Sequence, residues 1–370
     1  MINKDRILEA LKQVQDPDLH KDIVSLGFVQ DMVIDKDSVS FKVVLTTPAC
    51  PVKDLLKQQC IEAVSRLDGV KQVNVEMTAQ VTNKRANDGH LLEGVKNVIA
   101  VASGKGGVGK STVATNLAVS LGMLGARVGL LDADIYGPSI PLMMGVHQNP
   151  TSSDGKHLDP MENHGIKMMS IGFMMPDDQA LVWRGPMVAQ ALTQLMRDVN
   201  WGELDYLIVD MPPGTGDAQL TMSQAIQLTG AVIVTTPQDV ALIDARRGVG
   251  MFQKVNVPIL GIIENMSYYV CPKCNHRADI FSHGGGQKAA EKYEVPFLGE
   301  IPLNLETRIA GDEGKPIVSA APDSPNGKAF REVAQNLASM ISILHHGTPE
   351  DQAKVLGQKK FFANTRLKVI

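Results

Sequence analysis

The stretch that decides the fold is Ser103-Gly104-Lys105-Gly106-Gly107-Val108-Gly109-Lys110-Ser111-Thr112, near the end of the first third of a 370-residue chain. It follows an apolar run, 98–102, and precedes a helical pattern over about 111–124. The phosphate-loop spacing G-x-x-x-x-G-K-[ST] is met by Gly104, Gly109, Lys110 and Ser111. Glycines let such a loop aim backbone N–H groups at a polyphosphate, and the following helix points its positive end at the same charge. We therefore predict that residues 104–112 bind a nucleotide, with Lys110 on the terminal phosphates and Ser111 on Mg²⁺.

The composition favours a globular protein over a fibrous, disulfide-rich or membrane-spanning one. A hydrophobic content of 44% over 370 residues can bury one large core and a smaller one. The formal net charge of −4 gives no electrostatic case for binding nucleic acid or an anionic membrane. The first ten residues are too charged for a signal peptide, and the four cysteines are too few for a disulfide scaffold. We expect a soluble protein of the cytoplasm.

The hydrophobic pattern divides the chain into four regions. Residues 1–80 are predicted to form a small α+β unit, in which strand alternation over 39–46 lies between two helical patterns. Residues 82–90 are polar and lack periodicity, so 81–95 is predicted to be a linker. From 96 to 347, strands alternate with helical patterns, which is typical of a mainly parallel α/β sheet with helices on both faces. Residues 348–370 are a polar and then basic tail.

Strands of the larger region are predicted to deliver three carboxylates to the nucleotide. Asp132 and Asp134 follow the apolar strand 128–131, and Asp210 follows another. Ligands of open α/β sheets bind outside the carboxyl ends of the strands. Asp210 fits a Walker-B carboxylate that holds Mg²⁺ through water, whereas capping of the following turn remains an alternative for Asp132. The glycine- and proline-rich loop 211–217 is predicted to sense the γ-phosphate.

A Cys-x-x-Cys pair, Cys271 and Cys274, puts two thiolates within reach of one metal or cluster. A redox dithiol is one alternative, although that motif normally lies at a helix N-terminus in a thioredoxin-like unit. Structural zinc completed by His276 and His283 is another, although the spacing between these histidines is wider than usual. Iron–sulfur clusters usually take four thiolates. A twofold dimer that supplies the same pair from each subunit would complete one.

The N-terminal region carries two further cysteines. Cys50 precedes the second helix, whose positive end would lower the pKa of the thiol. The alternative for Cys50 is a small buried residue in a tight turn. Cys60 lies among apolar residues of a helical pattern and is predicted to be core.

The second lysine of the loop Gly-Lys-Gly-Gly-Val-Gly-Lys-Ser, Lys105, sets it apart from other phosphate loops. The loop resembles the deviant phosphate loop of dimerising ATPases related to MinD, ParA and the nitrogenase iron protein. The resemblance implies a nucleotide-dependent homodimer in which Lys105 contacts the ATP of the partner subunit. It also implies that Asp132 assists Mg²⁺, that Asp134 positions the attacking water and that Asn265 pairs with the adenine edge. A turn-forming role remains the alternative for Asn265.

With the cysteine pair added, residues from about 95 to 345 resemble the Mrp/ApbC family of iron–sulfur carrier ATPases. The elements 16–18, 25–27 and 46–51 resemble the small domain of SufT-like assembly factors. The resemblance implies a labile [4Fe–4S] cluster bridging two subunits. It would be received from upstream donors and transferred to client apoproteins under slow ATP hydrolysis.

Two alternatives to a carrier remain. A MinD/ParA-like positioning ATPase with a structural zinc would need a membrane-targeting helix or a basic DNA surface, and neither nucleic acid nor a membrane is an expected partner. A nitrogenase-like reductase spaces its two cluster ligands far apart in sequence, unlike the pair in this chain.

Overall fold

The computed structural model describes residues 2–82, 92–174, 185–216, 219–220, 222–223 and 227–355. Most of the predicted linker, the end of the loop 211–217 and most of the basic tail lie outside these residues. The chain divides into two compact units. The first contains the described residues before 85 together with 338–351, and the second contains the described residues of 85–337 and 352–370.

The first unit packs two helices on a three-stranded sheet. Its elements are α1 (Lys4–Leu11), the strand pair β1 (Gln15–Asp16) and β2 (Lys21–Asp22), β3 (Val29–Asp35), β4 (Ser38–Leu45), α2 (Lys53–Ser65) and β5 (Gln72–Ala79). The sheet has the order β3-β4-β5, in which β3 is antiparallel and β5 parallel to β4. Every second residue of β4 is buried, because alternate side chains of a strand point to opposite faces. The buried face meets Ile7, Leu11, Leu56 and Cys60, which confirms Cys60 as core.

The second unit is built on a mainly parallel sheet. Its strands are β6 (Val95–Ala102), β7 (Val128–Asp132), β8 (Met161–Asn163), β9 (Ile166–Ser170), β10 (Leu204–Asp210), β11 (Gly230–Thr235), β12 (Ile259–Val270), β13 (Arg277–Ala278) and β14 (Phe297–Leu303). The strand order is β13-β12-β11-β6-β10-β7-β9-β8, and β14 also pairs with β12. The pairs β8/β9 and β12/β13 are antiparallel and the other pairs are parallel. Strands β7, β10 and β11 are buried throughout, as central strands of a parallel sheet should be.

The helices of the rest of the chain are interleaved with these strands and are numbered in chain order. They are α3 (Lys110–Met123), α4 (Ile140–Met143), α5 (Gly185–Arg197), α6 (Asp239–Lys254), α7 (Gly285–Tyr293), α8 (Leu305–Asp312), α9 (Ile317–Ala320), α10 (Pro325–His346) and α11 (Pro349–Val355). The predicted class, a P-loop α/β sheet preceded by a small α+β unit, is confirmed. None of the described helices is long and apolar enough to span a bilayer.

The last turns of α10 belong to the first unit. Ile343 packs against the core of that unit, and the Ser342 Oγ atom lies 2.8 Å from Thr46 Oγ1. The predicted region 348–370 begins with an ordered helix, α11, over its described part. The first unit therefore recruits a segment that lies more than 250 residues away in sequence, at the other end of the chain.

Strand β10 carries an ion-pair network at its amino end, opposite to the edge where Asp210 lies. Asp205 accepts hydrogen bonds from Lys96 Nζ at 2.9 Å and from the Arg127 backbone N–H at 3.0 Å and Nη2 at 3.2 Å. Burial opposes ionisation of this carboxyl, but these donors outweigh it, and the pKa of Asp205 lies below its usual value. The network ties β10 to the starts of β6 and β7.

Replacing Asp205 with alanine should lower stability by about 2 kcal/mol at neutral pH, because two cations lose their buried acceptor. Since the folded-state pKa of Asp205 is depressed, its contribution is complete well above pH 4 and is lost as the pH falls through the folded value. Thermal midpoints of wild type and variant at pH 7 and at about pH 3.5 test this. The difference between the two thermal midpoints should be smaller at the lower pH. An equal difference at both pH values would contradict this prediction.

Candidate functional site

The phosphate loop lies between β6 and α3 at the carboxyl edge of the sheet, where β10 and β7 also end. Gly107 and Gly109 have φ values of 81° and 80°, in the left-handed region that favours glycine. A Cβ atom at Gly104 would collide with the backbone of Asp244 on α6, and one at Gly109 would collide with the side-chain amide of Asn265. Close packing thus requires glycine at both ends of the motif, and at Gly109 the backbone conformation requires it as well.

Lys110 is the buried cation of this edge. Its Nζ atom donates to Asp210 Oδ1 at 2.7 Å and to Ser111 Oγ at 3.2 Å, and it lies 3.8 Å from Asp134 Oδ2. The Lys110 and Asp210 side chains are 7% and 0% exposed, so water screens their attraction little. The structure therefore brings together four residues that the sequence assigns to the nucleotide.

Asp210 has one carboxylate oxygen to spare. Its Oδ1 atom accepts from Lys110, whereas its buried Oδ2 atom has no hydrogen-bond partner within the described residues. Burial raises the pKa of Asp210, and the nearby ammonium lowers it. A buried oxygen without a donor is costly unless a ligand satisfies it. Oxygen is also the ligand that Mg²⁺ prefers.

Asp132 is surrounded by donors from its own loop and from the end of β9. Its carboxylate accepts from the backbone N–H groups of Asp134, Ser139 and Ile140 at 3.1–3.2 Å and from Ser170 Oγ at 3.0 Å. Burial and the charge of Asp210 raise the pKa of Asp132 to about 7. The structure thus shows the capping interaction that was left open for Asp132. Its side chain organises the turn that carries Asp134.

Asp134 and Lys105 are the more accessible members of the site. Burial raises the pKa of Asp134, and the Lys110 charge acts in the opposite direction. Lys105 is half-buried, and its carbonyl accepts from Ser103 Oγ at 2.9 Å. Within the described residues the Lys105 ammonium makes no ion pair. It is therefore available to a nucleotide or to another subunit.

Asn265 contacts the phosphate loop directly. Its Nδ2 atom donates to the Val108 carbonyl at 2.8 Å, across 157 positions of sequence. Met266 follows with a φ of 55°, and the pairing of β12 with β14 shifts register between Asn265 and Tyr269. Strand β12 is thus kinked just after it touches the loop and continues to the cysteine pair. The contact joins two distant segments, so no local sequence pattern indicates it.

The cysteine pair forms the turn of the β12–β13 hairpin. The Cys271 N–H donates to the His276 carbonyl, and the Asn275 N–H donates to the Cys271 carbonyl, both at 2.9 Å. Hydrogen bonds from the Lys273 and Cys274 backbone N–H groups lower the pKa of the Cys271 thiol. Cys271 is half-buried and Cys274 is exposed. The turn therefore presents two thiols outward with backbone donors aimed at one of them.

The predicted histidine ligands of a zinc site do not join the cysteines. His283 Nε2 pairs with Glu300 Oε2 at 2.7 Å, and the His283 ring meets Tyr268 edge-on at 6.2 Å. Over the described ranges, Glu264, His283 and Glu300 are the group of three potential ligands whose atoms lie within 4.8 Å of one another, and no such group includes a cysteine. The pair has two ligands at most from its own chain there.

Glu264 has a structural role that no sequence motif indicates. Its carboxylate accepts from the N–H groups of Gly284 and Gly286 and from Ser267 Oγ. These donors fix the start of α7 against β12. With its oxygens satisfied by three donors, Glu264 holds the helix rather than a metal ion.

Cys50 does not have the character of a reactive thiolate. Burial raises its pKa to about 11, and the charges of Asp16 and Asp18 act in the same direction. One backbone hydrogen bond, at Val52, acts against them. Of the two interpretations, the structure supports the structural residue, since Cys50 lies half-buried against the core of the first unit.

The comparisons agree with this geometry. The family model described as "NUBPL iron-transfer P-loop NTPase" matches residues 94–338, and the model "Iron-sulfur cluster assembly protein" matches residues 4–77. An iron-sulfur cluster carrier protein of Synechocystis is 50% identical over 349 residues, which cover 93% of this chain and 99% of that one.

Solved structures give the same result. A nucleotide-binding protein of Archaeoglobus fulgidus, solved with ADP, is 41% identical with a TM-score of 0.55, covering 60% of this chain and 88% of that one. The cell division ATPase MinD of Pyrococcus furiosus is 24% identical with a TM-score of 0.51, over 65% of this chain and 97% of that one, and supports the fold alone. The predicted resemblance is therefore confirmed: the chain belongs to the iron-transfer P-loop NTPases of the Mrp/ApbC and NUBPL type, preceded by an iron–sulfur assembly domain, and it is an ATPase.

Proposed function

We propose that this protein is an ATP-dependent carrier of a labile [4Fe–4S] cluster, which two copies of the chain hold between them. The observation that carries the proposal is the outward-facing pair Cys271 and Cys274, which lacks a third ligand among the described residues of its own chain. A cluster needs about four thiolates. A twofold axis through the hairpins supplies two from each copy.

The nucleotide site follows from the geometry of the sheet edge. The backbone of the phosphate loop and Lys110 would hold the ATP phosphates, and Ser111 and the spare oxygen of Asp210 fit Mg²⁺, directly or through water. When bound, Mg²⁺ neutralises charge that develops on the phosphates. Asp134 would orient the attacking water, and Asp132 keeps the loop of Asp134 in place.

Lys105 and Asn265 would couple nucleotide binding to the partner copy and to the cysteine hairpin. The ammonium of Lys105 is free to reach the nucleotide of the partner copy. Asn265 links the Val108 carbonyl to the strand that ends at the cysteines. Nucleotide binding would then shift β12 and with it the cysteine hairpin, which begins six residues after Asn265. In this way the ATP site would control the cluster.

The cluster is cargo, and an exposed hairpin suits its transfer. Each thiolate of the acceptor forms an Fe–S bond as one from Cys271 or Cys274 breaks, so ligands exchange and no electron is lost or gained. Upstream donors would load the cluster by the reverse exchange. The four free cysteines fit a reducing compartment such as the cytoplasm.

Anaerobic reconstitution of the wild-type chain with iron and sulfide tests the proposal. We expect a brown dimer with absorbance at roughly 400 nm and about four iron atoms per dimer, measured together with its molecular mass. ATP should alter the rate at which the cluster moves to an apo-acceptor. A colourless protein that retains stoichiometric zinc would overturn the carrier function and favour a positioning ATPase.

A further inference from the structure

A groove between α6 and α7 lies outside the nucleotide site. It has a volume of about 390 Å³ and an apolar floor that includes Leu242, Ile243 and Ala289. Ile243 is 56% exposed, and Val240, one turn earlier on α6, is 63% exposed. Two large, exposed apolar side chains on adjacent turns form a hydrophobic patch. Leaving this patch in contact with water is unfavourable in free energy.

The rim of the groove is basic. Arg246, Lys288 and Lys292 line it, with Asp239 as the one acidic residue of the lining. All three cations are exposed, and none makes an ion pair within the described part of the chain. Lys288 and Lys292 lie four residues apart on α7, so they share one face of that helix. The local charge is therefore positive on a chain whose net charge is −4.

The groove adjoins the cysteine hairpin. His283 lines it and meets the Tyr268 ring edge-on, and the guanidinium of Arg277 lies 3.9 Å above the same ring. Arg277 pairs with Val270 next to Cys271. A protein that occupies the groove would therefore lie next to the strands that carry the cysteine turn.

We propose that this groove docks an acidic segment of the acceptor protein, with one or two large apolar side chains flanked by Asp or Glu. The inference rests on the proposed carrier function and names the partner chemistry of that site. Apolar residues would cover Ile243 and Leu242, and the acidic residues would pair with the three cations. A second copy of the chain fits less well, because a twofold contact would place like charges together. A nucleic acid also fits less well, because its charged backbone would not bury the apolar side chains of the groove.

The test compares transfer rates from reconstituted carriers to an apo-[4Fe–4S] enzyme whose activity reports the arrival of the cluster. The groove variant is Lys288→Glu/Lys292→Glu. The control, Lys254→Glu/Lys328→Glu, makes the same charge change at exposed positions that do not line the groove. We expect the second-order rate constant to fall about tenfold in the groove variant only, since rim charges act mainly on association. Added salt should slow transfer from the wild type and speed transfer from the groove variant, whose reversed charges repel the acidic segment.

Three outcomes would overturn the proposal that the groove docks the acceptor. They are an unchanged rate in the groove variant, an equal loss in the control, and a groove variant that becomes monomeric, which would assign the surface to a second copy. ATP turnover and iron content should match the wild type in both variants. A wild type that takes up no cluster, or transfers none, would instead refute the carrier function, so the two failures are distinguishable.

Discussion

Replacing Lys110 with alanine is expected to lower ATP turnover by about 100-fold or more, because one preorganised cation on the transferring phosphate contributes on that scale. The Lys110 ammonium already lies at the meeting point of β10 and the loop after β7, 2.7 Å from Asp210 and 3.8 Å from Asp134. Its side chain is 7% exposed and ion-paired, so it is held at that meeting point before a nucleotide binds. The measurement is phosphate release at saturating ATP.

The same substitution should also destabilise the protein. It leaves Asp210, whose side chain is fully buried, without its ion-pair partner, and breaking such a pair typically costs about 3–5 kcal/mol. A thermal midpoint several degrees below that of the wild type is therefore expected. Turnover must be compared at a temperature at which both proteins are folded.

Lys105→Ala is the matched control. It removes a cation of the same loop that is half-buried and makes no ion pair in the described structure. We expect its thermal midpoint to stay within about one degree of the wild type, because a partly accessible charge without an ion-pair partner contributes little to stability. A Lys110→Ala variant that keeps most of its turnover, or a Lys105→Ala variant that unfolds equally early, would contradict these assignments.

The phosphate loop and the sheet were predictable because both depend on local sequence. Glycine spacing and an apolar strand place Gly104 to Ser111 between β6 and α3. The burial of β7, β10 and β11 follows from their uninterrupted apolar runs. The rule that parallel strands present their carboxyl ends at one edge then brings Asp132, Asp134 and Asp210 together.

Contacts between distant segments were not predictable. An asparagine after a strand does not reveal that its amide will bond to Val108, and an apolar stripe on α10 does not show which core it covers. For Cys50, the helix end and burial act on the pKa in opposite directions. Only the packed structure shows that burial is the larger effect.

Replacing Cys271 and Cys274 with serine should abolish cluster binding and leave ATP binding intact. Serine has about the same size as cysteine, but its neutral hydroxyl ligates iron poorly. The hairpin should therefore be retained while its affinity for iron is lost. The readouts are iron content and absorbance at roughly 400 nm after anaerobic reconstitution. Cys50→Ser is the matched control, because burial keeps that thiol protonated, and it should retain the full iron content.

Mixed dimers separate a bridging cluster from one held within a single chain. A tagged wild-type chain paired with an untagged double serine variant offers two thiolates at the interface, half of what a cluster requires. The mixed dimer should be colourless after reconstitution, while wild-type dimers from the same preparation are brown. A mixed dimer with half the iron of the wild type would mean that each chain binds its metal alone. The twofold argument from the exposed, two-ligand hairpin would then fail, since its premise is that one chain cannot complete the site.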